Sequence, residues 1–345
     1  MNQRSAKRTN LLGLSFSDYK ALPSSLCKGC GHDSITSQIV TVAYELNIKP
    51  EEIIRLSGIG CSSKSAAYFF NRSHGFNSLH GRMPSVGTGA LMANHQLRAI
   101  GISGDGDTAS IGMGQFKHLM RRNLRMVYII ENNGVYGLTK GQFSATADQD
   151  LELKYAGRNP FPPEDLCMEA IISGCGFVAR SFSGDPKQVR ELLKAALSHR
   201  GTAVLDIISP CVTFNNRDNS HKSYSWGKAH EEPLHDVNWV PFFDEIVIEE
   251  YDPGQIKNVE LHDGSYIQLR KLEQDYDPMD RSAALQRLES ARSNGEFITG
   301  LIYIDKIRPS LAELNNLGKT PLAYLPDDEL RPSEKDLLDV MARFL

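Results

Sequence analysis

The stretch that decides the fold runs from residue 98 to 123, RAIGISGDGDTASIGMGQFKHLMRRN. Its opening, RAIGIS, reads as a strand; ASIGMGQFKHLMRRN (109–123) reads as a helix; between them lies a glycine-rich turn with two aspartates. The same alternation extends to both sides. Upstream, DSITSQIVTVAYELN (33–47) has apolar positions at helical spacing, IIRLSGIG (53–60) is a short buried strand and VGTGALMANHQL (86–97) is again helical. Downstream come strand RMVYIIE (125–131), helix DLCMEAIISG (165–174), strand FVAR (177–180), helix DPKQVRELLKAALSHR (185–200) and strand TAVLDIIS (202–209). Strands separated by helices require crossover connections, which give a parallel sheet covered on both faces. The fold class is therefore α/β, doubly wound and mostly parallel, over residues 1–230.

Residues 231–345 read differently. HEEPLHDVNWVPFFDEIVIEEYDPG (230–254) is acidic and aromatic with turn-forming prolines, and VELHDGSYIQLRKL (259–272) is a hairpin pattern pivoting on Asp263 and Gly264. A helix over 279–292, a strand FITGLIYID (297–305) and a last helix from Ser333 follow. These elements are too few and too separated for a core of their own, so they are expected to form a C-terminal α+β extension.

Composition narrows the function. The chain has 345 residues, 41% hydrophobic, enough for one large domain with an appendage. A formal charge of −4 offers no surplus positive field for a phosphate backbone, which argues against nucleic acid as a partner. No run approaches the eighteen or so apolar residues of a membrane span. The start, MNQRSAKRTNLLGLSFSDYK, follows its basic residues with a patch too short and too polar for a signal peptide, so a cytoplasmic protein with no membrane partner is expected. Six cysteines are too few to staple this length of chain, and their spacing needs another explanation.

In an open parallel sheet, ligands sit beyond the carboxyl ends of the strands. Four unusual stretches fall there: Cys61 after the first strand, Gly104-Asp105-Gly106-Asp107 after the second, Asn132-Asn133-Gly134 after the third, and Pro210-Cys211 after the last. They are expected to converge. A carboxylate at Asp105, an amide oxygen at Asn133 and a backbone carbonyl a little further on would partly fill the octahedron of a magnesium ion, whose remaining positions suit water and phosphate oxygens. The glycines let backbone approach the phosphates, and a helix starting at Ala109 would aim its N-terminus at them. An EF-hand calcium loop does not fit, because Ala109 occupies its third ligand position and no glutamate stands at its twelfth.

The second constellation is the cysteines. Cys27 and Cys30 form a CxxC in LCKGCGHD, Cys61 lies in GIGCSS and Cys211 in SPCVTFNN. Four thiolates from three segments can hold either zinc or an iron–sulfur cluster. Two of the four sit on the crevice edge of the phosphate site, where an electron carrier is useful and a structural zinc is not. Cys167 and Cys175 read as buried small hydrophobes.

Gly-Asp-Gly followed 25 residues later (107–131) by Asn-Asn resembles the thiamine-diphosphate fingerprint. With both constellations, the sequence resembles the beta subunit of the 2-oxoacid:ferredoxin oxidoreductases, and among them the 2-oxoglutarate enzymes. The likeness runs from Cys27 to Cys211 through CKGCGHD, GIGCSSK, LHGRMPSVGTGA, GDGDTASIGMGQFKH, ENNGVYGLTKGQ and SPCVTFNN, and touches the extension at LHDGSYIQLRKL and YDPMDR. It implies that Cys27, Cys30, Cys61 and Cys211 ligate a 4Fe-4S cluster. It further implies that Asp105, Asn133 and the carbonyl of Val135 hold Mg2+. Ile59, Gly60, Cys61, Ser62, His80, Gly106, Asp107, Gly137 and Leu138 match positions that line thiamine diphosphate.

By the same likeness, the activity is oxidative decarboxylation of 2-oxoglutarate to succinyl-CoA with one-electron transfer to ferredoxin, or the reverse. An alpha subunit, in an alpha2beta2 assembly, completes the site, and coenzyme A and ferredoxin are the other reactants. The activating glutamate of thiamine enzymes is not among these motifs and belongs to the partner, so this chain alone is expected to be inactive. Lys64 matches a position that meets the substrate carboxylates, and Leu138 and Lys140 match a loop that influences which side chain fits. Lys28 departs from the family by replacing a proline inside the CxxC. His80 and Arg82 in LHGR also read as loop residues satisfied by backbone carbonyls, and Arg82 is not assigned a role. Two alternatives are a sister enzyme acting on pyruvate or another 2-oxoacid, and a zinc-stabilised binding protein without the chemistry.

Overall fold

The computed structural model describes residues 9–153, 156–214, 251–260, 266–273, 276–294 and 296–344. The expected boundary at 230, the acidic and aromatic stretch up to residue 250 and the Asp263-Gly264 turn lie outside the described residues.

Four strands precede the middle of the chain: β1 (Ile53–Ser57), β2 (His74–Asn77), β3 (Arg98–Gly104) and β4 (Met126–Asn132). Two short antiparallel ladders follow, β5 (Val135–Tyr136) with β6 (Gln142–Phe143) and β7 (Glu152–Leu153) with β8 (Gly157–Arg158). The remaining strands are β9 (Phe177–Phe182), β10 (Thr202–Ile208), β11 (Ile256–Glu260), β12 (Tyr266–Lys271) and β13 (Glu296–Ile304). The principal helices are α1 (Gly31–Glu45), α2 (Met83–Ala93), α3 (Met113–Arg122), α4 (Leu166–Ile172), α5 (Pro186–Ser198) and α6 (Arg281–Ser293).

One nine-stranded sheet carries the order β11-β12-β13-β9-β10-β4-β3-β1-β2. From β9 to β2 every pairing is parallel, as the alternation of strands and helices implies. The chain after residue 250 continues this sheet: β13 joins β9 antiparallel, β12 lies parallel to β13, and β11 pairs antiparallel with β12. That last pairing is the one the hairpin pattern around Asp263 implies.

β4 and β10 are buried almost throughout, which explains why they read as continuous rather than alternating apolar runs: both of their faces are covered. One face packs α2, α3, α4 and α6 into a layer that includes Phe116, Leu119, Met120, Leu166 and Leu288. The other packs α1 and α5 through Ile35, Ile39, Val189, Leu193 and Leu197. Each such side chain contributes on the order of 1.5–3 kcal/mol by leaving water. Aspartate caps begin three of the helices: Asp165 accepts from the amides of Cys167 and Met168, Asp185 from Gln188, and Asp280 from Ser282 and Ala283. α3 ends at Asn123, which takes a left-handed conformation with φ of 47° and ties β10 to α3 by accepting from the Thr202 amide at 3.0 Å.

Two expectations change. α3 begins at Met113 rather than Ala109, and residues Gly106–Ile111 form a wide π-type turn ahead of it. The cause is side-chain anchoring. Asp107 accepts from Ser103 Oγ at 2.6 Å, and Thr108 bonds to Ser103 and Tyr128 at 3.0 Å each, which holds the turn open before α3 starts. Strand β2 has no counterpart in the sequence reading, because its four residues are all exposed and carry no apolar alternation. Among the described residues, no helix is long and apolar enough to cross a membrane.

Candidate functional site

The neighbours β10, β4, β3 and β1 run parallel, so the loops after their carboxyl ends share one crevice. Asp105 enters this crevice with its carboxylate fully fixed: Oδ1 accepts from the Asn133 amide at 3.2 Å and Oδ2 from Thr146 Oγ1 at 2.7 Å. Thr146 also donates to Asn132 Oδ1 at 3.0 Å, and Asn133 Oδ1 accepts from the Val135 amide at 3.1 Å. Burial pushes the Asp105 carboxyl above its ordinary value, against the pull of the Ser144, Thr146 and Asn133 donors. A buried carboxylate in a ring of oxygen donors suits a hard cation such as magnesium, which restores the charge balance that burial costs.

Asp107 is the second anchor. Beyond Ser103 it accepts from the Gly81 amide at 2.7 Å and pairs with His80 Nδ1, and the Ile59 amide approaches its Oδ1 at 3.4 Å. Gly58 lies so close that an added Cβ would stand 2.8 Å from Asp107 Cγ and closer still to Oδ2. Only glycine lets the loop after β1 rest on that carboxylate. Gly106 is as crowded: its Cβ would meet the Tyr136 ring at 2.6 Å, and the Tyr136 hydroxyl donates to the Gly106 carbonyl at 2.8 Å. Ile59, Gly60, His80, Gly106 and Asp107 therefore come together around one loop.

Cys27, Cys30, Cys61 and Cys211 line a cavity of about 190 Å³ with His32, Lys64, Asn133, Gly137 and Leu138. Cys61 Sγ and Cys211 Sγ each lie 3.6 Å from where a Gly137 Cβ would sit, so the two sulfurs stand no further apart than twice that distance. Thr213 Oγ1 donates to Cys27 Sγ at 3.6 Å. Among the described residues, no three His, Cys, Asp or Glu side chains close up around a single ion. Four thiols lining one cavity are a donor set for a zinc ion or an iron–sulfur cluster alike. Burial raises the pKa of Cys30, Cys61 and Cys211, which a cationic iron core would counter.

His32 reaches the same wall. Its Nδ1 stands 3.2 Å from Glu131 Oε2, in a geometry that forms no full hydrogen bond, and neither ring nitrogen has a hydrogen-bond partner among the described residues although the residue is 1% exposed. Burial lowers its pKa to about 4, which leaves the imidazole neutral at pH 7, and pushes the Glu131 carboxyl well above its ordinary value. A neutral imidazole offers one N–H, and an unsatisfied buried donor at the cavity wall is what a sulfide-bearing group would accept from.

Ser62 turns inward, donating to the Glu131 carbonyl at 3.2 Å, and Val135 is buried in the small cluster with Ala147, Leu151 and Leu153. Lys64 and Leu138 line both the cysteine cavity and a second cavity of about 740 Å³ beside Gly58, Ile59 and Gly60. Cys167 and Cys175 are fully buried in an apolar layer. The sequence reading passed over Glu131, His32, Thr146 and Tyr136. Glu131 had a signal, since a charged residue closes the apolar strand RMVYIIE; the others show none, because their roles arise from contacts with distant segments.

The sheet and its glycine–aspartate loop define a thiamine-pyrophosphate enzyme domain, and a family profile for the C-terminal TPP-binding domain of such enzymes matches residues 58–207. The chain is 42% identical over 197 residues to 2-oxoacid:ferredoxin oxidoreductase 1, subunit beta, of Aeropyrum pernix, covering 56% of this chain and 60% of that one. It thus spans about three fifths of that relative's length. Against 2-oxoglutarate synthase subunit KorB of Methanocaldococcus jannaschii the identity is 36% over 199 residues, covering 57% of this chain and 73% of the other. A solved structure of 2-oxoglutarate:ferredoxin oxidoreductase from Magnetococcus marinus, with 2-oxoglutarate, coenzyme A and succinyl-CoA bound, matches with a TM-score of 0.72 and 28% identity over 95% of this chain and 96% of that one. This chain belongs to the family of 2-oxoacid:ferredoxin oxidoreductase beta subunits.

Proposed function

We propose that this chain, with an alpha subunit, carries out oxidative decarboxylation of 2-oxoglutarate to succinyl-CoA and passes the electrons singly to ferredoxin. The observation that carries this reading is a shared wall. Asn133, whose amide donates to the Asp105 carboxylate, lines the cavity of the four cysteines, and Lys64 and Leu138 line both that cavity and the one beside Gly58–Gly60. The six unpaired thiols suit a reducing, cytoplasmic setting. The 231–345 segment is read as an extension of the cofactor-binding domain 1–230.

Thiamine diphosphate, when bound, supplies the nucleophilic carbon and the electron sink for decarboxylation. The chain's residues do the holding. Asp105, Asn133 and Val135 are the proposed magnesium ligands, and Thr146 keeps the Asp105 carboxylate oriented toward that role. Asp107, fixed by Ser103, Gly81 and His80, keeps the loop after β1 against the phosphate turn. Cys27, Cys30, Cys61 and Cys211 are the proposed thiolates for a 4Fe-4S cluster, which supplies one-electron transfer. His32 offers a donor at its edge. Lys64 is the proposed contact for substrate carboxylate.

The test is reduction of ferredoxin or a viologen by the anaerobically co-expressed complex with 2-oxoglutarate, pyruvate and an aryl 2-oxoacid, in the presence of coenzyme A. Turnover preferring 2-oxoglutarate is expected. Preference for pyruvate would move the chain to a sister activity, and no reduction with any acid would end the redox reading.

A further inference from the structure

The cavity of about 740 Å³ runs along the 3-10 segment Ser62–Ala67, from Gly58–Gly60 at the cofactor loop to Arg55 on β1 and Phe76 and Asn77 on the edge strand β2. Among the described residues, two of its lining side chains are charged, Lys64 and Arg55, both cations, and no aspartate or glutamate lines it. Among the described residues, Arg55 has no carboxylate partner. Its one hydrogen bond is from Nη1 to the Phe69 carbonyl at 2.7 Å, and its Nη2 lies against β2 where a Gly75 Cβ would stand 2.8 Å away. A guanidinium carries five N–H donors in a planar fork suited to carboxylate or phosphate. Removing such a charge from water without a counter-ion is costly, and an anion brought in by a ligand offsets that cost.

We propose that Arg55 is an anion-binding residue of this cavity, receiving the terminal oxyanion of a reactant that extends past Lys64 toward β2. The inference rests on the functional reading above, which supplies two reactants with such an end. The remote carboxylate of a dicarboxylic 2-oxoacid and a phosphate of coenzyme A present the same chemistry to the fork. A monocarboxylic 2-oxoacid has no group to reach it. Arg55 then acts as a specificity-determining residue, separate from the cofactor ligands, and Lys64 serves the nearer end of the same ligand.

The experiment compares the wild-type anaerobic complex with Arg55→Gln and Arg55→Lys. Equilibrium binding of 2-oxoglutarate, pyruvate and coenzyme A is measured by calorimetry, alongside KM and kcat for each. Loss of charge-assisted hydrogen bonds predicts about 10- to 100-fold weaker binding of one anionic reactant by Arg55→Gln, with pyruvate unchanged and partial recovery in Arg55→Lys. A loss confined to 2-oxoglutarate identifies the carboxylate as the occupant; a loss confined to coenzyme A identifies the phosphate. Unchanged affinity for all three, an equal loss for all three, or a defect only in association with the alpha subunit overturns the role. Should Arg55→Gln fail to assemble, Arg55→Lys still decides, because one ammonium in place of the fork is expected to weaken the same anion about 3- to 10-fold. A wild-type complex that binds neither 2-oxoglutarate nor coenzyme A would overturn the functional reading itself and this inference with it.

Discussion

Gly58→Ala tests how tightly the loop after β1 rests on Asp107. The new Cβ would begin 2.8 Å from Asp107 Cγ, closer to Oδ2, and 3.1 Å from Ser103 Oγ. Ordinary contact needs about 3.5 Å, so the carboxylate or the loop has to retreat by about 1 Å. Asp107 is 2% exposed and held by Ser103 Oγ at 2.6 Å, the Gly81 amide at 2.7 Å and His80, so it has no free direction in which to move. Breaking one or two hydrogen bonds to the carboxylate costs about 1.5–3 kcal/mol each, which gives an expected loss of about 1.5–6 kcal/mol. Chemical denaturation measures that loss, and thiamine diphosphate titration of the complex measures the accompanying fall in affinity. Gly89→Ala is the control: that exposed helical position has nothing within 4 Å of the added carbon and is expected to gain up to about 1 kcal/mol. A Gly58→Ala protein as stable as wild type, with unaltered cofactor binding, would refute the contact and its role together.

Three further outcomes follow from other parts of the molecule. Arg180 bonds to Asp165 at 2.8 Å and to Asp206 at 2.9 Å inside the core, so Arg180→Met leaves Asp206 buried without its cation and is expected to cost about 3–5 kcal/mol by chemical denaturation. Burial lowers the His199 pKa below 6.5, so the unfolded chain binds a proton before the folded one as pH falls. Stability is then lost from about pH 6.5 downward until the folded imidazole also titrates, and His199→Gln should flatten that limb of a stability–pH curve; an unchanged limb would show that His199 does not contribute. Cys211→Ala should lose most of the iron from anaerobically prepared complex while Cys167→Ala keeps it, since only the former thiol lines the cavity; equal iron in both would remove Cys211 from the ligand set.

The sheet was legible because strands such as MVYIIE and TAVLDII are covered on both faces and so are written as unbroken apolar runs between helical patterns. The crevice was legible for a related reason: strand ends in a parallel sheet lie together, and unusual residues at four of them had to be neighbours. Strand β2 was not, because an exposed four-residue edge owes its conformation to pairing with β1 rather than to its own side chains. The wide turn at Gly106–Ile111 was not, because it depends on Asp107 and Thr108 being anchored to Ser103 and, on the neighbouring strand, Tyr128. Arg55 reads like any polar residue in a strand; its meaning comes from having no acidic partner among the described residues, which no local pattern records.

The central claim is that one crevice joins a thiamine site to a cluster held by Cys27, Cys30, Cys61 and Cys211. The most direct measurement is the content of iron, acid-labile sulfide, zinc and thiamine diphosphate per chain in the complex purified without oxygen. Iron and sulfide in equal amounts, at about four of each per bound thiamine diphosphate from this chain, is the predicted result. Zinc without sulfide, or thiamine diphosphate without iron, would contradict it.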